Sequence, residues 1–79
     1  MPSEGDYMVS FELIDFDGKV YTYKYYPEMD ETAPGIISID KYGNREIIEV
    51  SKNDVKNLYL GHAFEAIEPG QERGSAFWW

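Results

Sequence analysis

Ser51 to Glu68, SKNDVKNLYLGHAFEAIE, is the stretch whose apolar residues recur at helical spacing, and its reading decides the fold class. At about 100° per residue, Leu58, His62, Val55, Ala66 and Tyr59 share one arc, flanked by Ala63 and Ile67. The opposite arc carries Asn53, Asn57, Gly61, Asp54, Glu65 and Glu68, so one face is apolar and the other wet. Ser51 reads as the N-cap, with Asp54 three residues on as a shortened capping box, and Pro69-Gly70 ends the helix. Leu60 and Phe64 fall to the side of the apolar stripe.

Upstream the period changes to two. Tyr7, Val9, Phe11 and Leu13 alternate with Met8, Ser10, Glu12 and Ile14, the pattern of a half-buried strand. From Lys19 to Tyr26 a second strand puts Tyr21, Tyr23 and Tyr25 on one face. A three-residue loop, Phe16-Asp17-Gly18, with Gly18 left-handed, pairs Leu13 with Tyr21, Phe11 with Tyr23 and Val9 with Tyr25, and keeps the apolar face intact. A second hairpin, Ile36 to Asp40 and Arg45 to Val50, turns around Lys41 to Asn44. Pairing Asp40 with Arg45 sets Ile37 opposite Ile48, with Ile39 and Val50 on the same face, and leaves Ile36 and Ile47 on the other side.

The fold expected is therefore α+β: a four-stranded antiparallel meander over residues 7–50, covered on one face by a C-terminal helix over 51–68. Residues 1–6 read as a disordered N-terminus. Phe77, Trp78 and Trp79 are costly to leave in water, about 1.5 to 3 kcal/mol for each large side chain that could be buried. The 75–79 segment is thus expected to return as a short strand or arm near Leu60 and Phe64. With 79 residues there is room for one domain and a thin core, and without cysteine neither disulfides nor a thiolate metal site reinforces it.

Fifteen acidic against seven basic residues, a formal charge of -8, argue against direct binding to nucleic acid and favour a basic protein partner. No apolar run approaches the roughly 20 residues of a membrane span, and the N-terminus lacks a signal-peptide pattern, so the expected location is cytoplasmic. Asp15-Phe16-Asp17-Gly18 matches only the opening of a calcium loop, and turn chemistry accounts for it. The single His62 lies on the apolar face without companion ligands, and no nucleophile sits beside a base; no catalytic, metal or cofactor residue is assigned.

At Tyr25-Tyr26-Pro27, Pro34-Gly35-Ile36, Gly61-His62-Ala63 and the terminal tryptophan pair, the chain resembles small acidic bacterial proteins of unknown function. That resemblance covers Tyr7 to Trp79 and implies a single compact domain, with no activity or ligand attached. The function expected from the residues is a small acidic protein-interaction module, monomeric or homodimeric. Its alternative is an acidic mimic of nucleic acid that inhibits a basic defence or DNA/RNA-processing protein. The partner-binding residues expected are Glu28, Asp30 and Glu31 of the Pro27–Gly35 loop, Ile36 and Ile47, and the terminal Phe77, Trp78 and Trp79.

Overall fold

A computed structural model describes residues 7–54 and 58–78. The period-two segments form strands Tyr7–Phe16 (β1), Val20–Pro27 (β2), Gly35–Asp40 (β3) and Arg45–Glu49 (β4), joined as an antiparallel meander. Helix Leu58–Ala66 (α1) follows, and the chain returns as Arg73–Trp78 (β5) against the outer side of β1. The sheet order is β4-β3-β2-β1-β5, with α1 packed on one face. Val9, Phe11, Tyr23, Tyr25, Ile37 and Ile39 bury that face beneath Tyr59, Leu60, Ala63 and Ile67. The expected α+β architecture, meander plus terminal strand, is the one present.

Both hairpin registers differ from expectation. In the first, Phe11 pairs with Tyr25 and Leu13 with Tyr23, two residues away from the alternation-based pairing, and Ile14 is the extra residue of a bulge. An even shift leaves every side chain on its original face, so hydrophobic alternation is blind to it. The turn itself decides. Asp17 N donates to Val20 O at 3.3 Å, and Asp17 Oδ1 accepts the amides of Lys19 at 2.9 Å and Val20 at 2.8 Å. Gly18, at φ +97°, occupies the first central position, where a tight hairpin turn takes glycine. Phe16, expected in the loop, ends β1 and stacks on Tyr21 at 4.3 Å.

In the second hairpin Ile37 pairs with Ile47 and Ile39 with Arg45, while Glu49 pairs with Ile36 across a bulge. Ile47 therefore lies on the helix-side face and not beside Ile36, and Ile48 and Val50 are exposed. Asp40 does not face Arg45; its carboxylate folds back on the turn, accepting the amides of Tyr42 at 2.8 Å and Asn44 at 2.9 Å. Arg45 is thereby freed, and its Nε donates to the Phe64 carbonyl in the last turn of α1 at 3.0 Å, where a cation complements the helix C-terminus.

The helix is shorter than its pattern. Ser51 is not its cap: its hydroxyl donates to Ala33 O and accepts Asn53 N at 3.1 Å, and Ser51 to Asp54 form a turn. Asp54 performs the capping, with Oδ1 accepting Tyr59 N at 2.9 Å and Oδ2 accepting Leu60 N at 3.0 Å. The buried face is also rotated relative to expectation. Tyr59, Leu60, Ala63 and Ile67 face the sheet, Leu58 is 43% exposed, and His62 is only half-buried. The expected core position Val55 lies outside the described residues, as do residues 1–6 and Trp79.

The rotation follows from where the last strand docks. Trp78 pairs with Tyr7, lies edge-on to Tyr59 at 5.2 Å and stacks on His62 at 3.9 Å, packing with Phe64 against the core cluster that holds Leu60. Leu58 and Leu60, two residues apart on this nine-residue helix, point in nearly opposite directions and cannot both face the sheet. The aromatic platform at the β1–β5 side selects the Tyr59–Leu60 arc.

Candidate functional site

One face of the sheet is closed by α1 and the other is open. On β1 the open face carries Met8, Ser10 and Glu12, the residues alternate to the core positions Val9 and Phe11. Pairing brings Tyr26 beside Ser10 and Lys24 beside Glu12 from β2, and Phe77, Ser75 and Arg73 beside Met8, Ser10 and Glu12 from β5. Above this surface stands the loop between β2 and β3. Together they enclose a groove of about 410 Å³ with Met8 and Met29 as apolar walls and Glu12, Glu31, Tyr26 and Arg73 as polar ones.

The loop is held over the sheet by Glu28. Glu28 and Met29 both adopt left-handed backbone conformations, φ 53° and 61°, which are costly outside glycine and persist only when their surroundings impose them. Here the constraint is visible: Glu28 N donates to Met8 O at 2.9 Å, and Glu28 Oε2 accepts both Met8 N at 3.1 Å and the Tyr59 hydroxyl at 2.8 Å. One carboxylate thus ties loop, β1 and α1 together. Asp30 is likewise occupied, accepting Thr32 N at 2.9 Å and Asn53 Nδ2 at 2.9 Å. Glu31 faces the groove.

The expected partner-binding residues therefore separate. Glu28 and Asp30 shape the loop, and Glu31 lines the groove. Phe77 is 43% exposed on the open face opposite Met8. Ile36 is half-buried on that same face, beside Lys24, whereas Ile47 lies on the helix-side face of the edge strand. Trp78 is turned into the aromatic cluster of Tyr7, Tyr59 and His62; its indole N–H is buried with no hydrogen-bond partner among the described residues. Met8, Glu12, Tyr26, Met29 and Arg73 were not anticipated. Period-two parity marked Met8 and Glu12 as opposite to the core, but their junction with Arg73 depends on β5 pairing with β1.

Tyrosine hydroxyls carry much of the polar scaffolding. Tyr26 donates to Glu12 Oε1 at 2.7 Å inside the groove, and burial with the neighbouring Glu12 carboxylate pushes its ionisation up to about 12. Tyr59 is raised to about 12 by burial and Glu28. Tyr25 is raised further, by burial and Asp54. At the other extreme, main-chain amides from the turns hold Asp17 below its ordinary 3.8, the Thr32 hydroxyl does the same for Asp30, and Asn44 for Asp40.

These shifts set opposite ends of a pH profile. A raised tyrosine contributes stability below its unfolded value of 10 and loses it as pH climbs towards 12. A depressed aspartate contributes above 3.8 and loses it as pH falls below that value. Urea midpoints are thus expected to be level from pH 5 to 9 and to fall on both flanks. In Tyr26→Phe/Tyr59→Phe the alkaline fall should start from a lower plateau and be shallower; an unchanged alkaline flank contradicts the assignment.

Among the described residues no group of three or more histidine, cysteine, aspartate or glutamate side chains is placed to hold a metal ion. Among them, too, no helix is long and apolar enough to cross a membrane. No protein-family model, curated protein or solved structure matches this chain.

Proposed function

We propose that this chain is a small acidic protein-interaction module, acting in the cytoplasm, which engages a protein partner of basic character through the open face of its sheet. The observation that carries the reading is the mixed groove on that face. Its volume falls within the roughly 300–1,000 Å³ of binding clefts, and adaptable methionines stand opposite carboxylates and one arginine. Met29 at 57% and Phe77 at 43% exposure extend the apolar surface beyond the groove.

The alternative, imitation of nucleic acid, needs free carboxylates gathered on one face. Here Asp17, Asp30, Asp40 and Asp54 are each engaged by main-chain amides, in turns at opposite ends of the sheet. That allocation supports the module over the mimic.

Met29→Ser/Phe77→Ser tests the reading, since both side chains are exposed and their replacement leaves the core untouched. Tagged wild-type protein is expected to retain a partner from a lysate of the source organism at low and moderate salt, and the double variant to lose it. Recovery of no partner, or equal recovery by the variant, counts against the proposal.

A further inference from the structure

The two edges of the sheet are guarded differently. β4 carries Arg45, Glu46 and Glu49 within its five residues, and a bulge at Ile48 interrupts its pairing; charge and irregularity are the usual protections of an exposed edge. β5 has neither. It pairs with β1 without a shift from Tyr7↔Trp78 to Glu12↔Arg73, carries one charge, Arg73, and has no strand on its outer side among the described residues. Apart from the Arg73 carbonyl, which accepts Gln71 Nε2 at 3.2 Å, the outer side of this regular, nearly uncharged strand is a template for another extended chain.

That edge adjoins the groove. Arg73, Gly74 and Ser75 of β5 form part of the groove lining. A strand added outside β5 would lie about 4.8 Å from it, with alternate side chains over the open face. A long side chain beside Ser75 can cross β5 towards Glu12, which accepts the Tyr26 hydroxyl, and towards Glu31, which lines the same groove. A side chain two residues along falls beside exposed Phe77. Arg73, of opposite sign, pairs across from Glu12 and lines the same groove. The overall charge of -8 favours approach of a basic segment.

We propose that β5 is a strand-addition site for an extended peptide carrying a lysine or arginine two residues from an aliphatic side chain, the cation entering the groove between Glu12 and Glu31. This rests on the interaction-module reading and names its partner's chemistry.

The test is an amide-resolved NMR titration of the whole chain with acetyl-Thr-Lys-Thr-Val-Thr-amide and with its Lys→Glu counterpart. Three results are expected: slowed hydrogen exchange at amides within Arg73–Trp78, shifts at Ser10 and Ser75, and at least tenfold weaker binding of the glutamate peptide. Glu31→Gln should weaken the lysine peptide at least threefold, while Glu65→Gln on the helix, an equal change in net charge, should leave it unaltered. Four results overturn the proposal: equal loss with Glu65→Gln, protection at β4 instead of β5, β5 protection in the free protein through self-association, or no binding of the lysine peptide at millimolar concentration. In the last case, a partner captured by wild type and lost by Met29→Ser/Phe77→Ser would leave the module reading standing and remove only strand addition.

Discussion

Gly35→Ala is expected to destabilise the protein by about 3 kcal/mol or more, the combined scale of overpacking a core and breaking a buried hydrogen bond. A Cβ at this position would lie 2.0 Å from Tyr25 Cε1, 2.4 Å from its Cζ and 2.7 Å from its hydroxyl oxygen. The ring has nowhere to go. Tyr25 is fully buried, and its hydroxyl accepts Ser51 N at 3.0 Å while donating to Asp54 Oδ2 at 2.9 Å, so displacing it disturbs the turn before α1 as well as the core. Against the roughly 5–15 kcal/mol available to a small domain, such a loss is a large fraction of the whole. Urea denaturation would measure it. Gly35→Ala in a Tyr25→Leu background should cost much less than in the wild-type background, since the clashing atoms are gone; additive losses would show that the glycine acts otherwise.

Replacing Asp54 by alanine is expected to cost about 2–4 kcal/mol, a helix cap together with a buried hydroxyl left without its acceptor. The carboxylate receives Tyr59 N and Leu60 N at the start of α1 and the Tyr25 hydroxyl from the sheet, so one side chain both begins the helix and fixes it to β2. Asp54→Asn retains one acceptor oxygen and should lose only part of this. Amide exchange at Tyr59 and Leu60 should accelerate in Asp54→Ala more than exchange at Ile37 or Tyr23 in the sheet centre. A loss below about 0.5 kcal/mol, the range of an ordinary surface substitution, would contradict the role.

How much of this was legible beforehand differs from element to element, and the differences have causes. The four meander strands and the return of the C-terminus follow from alternation and from the cost of exposing Trp78, whereas Phe77 stays 43% exposed. The register of the first hairpin did not, because a shift of two preserves parity and the Asp17 turn outweighed the bulge it forced at Ile14. In the second, Asp40 and Arg45 have opposite charges and look like a cross-strand pair. Asp40 instead closes its own turn, where the amides are already in place, and Arg45 reaches a helix carbonyl. Ser51 and Asp54 are both acceptable caps, and which one serves depended on Ala33 claiming the serine hydroxyl.

The candidate site divides along the same line. Glu31, in the long acidic loop, and Phe77, in the terminal aromatic run, are legible from local sequence, and both border the open face. Glu28 was marked for its charge, yet that charge is consumed by Met8 and Tyr59 from distant parts of the chain. Local pattern alone determined the element types, their order and the two faces of β1, β2 and β3, because periodicity and turn propensity act between near neighbours. The registers, the rotation of α1 and the groove were decided only by tertiary structure. Each depends on which distant group reaches a given amide, carboxylate or ring first, and β5 returning to β1 is the contact that brings Met8, Glu12 and Arg73 onto one surface.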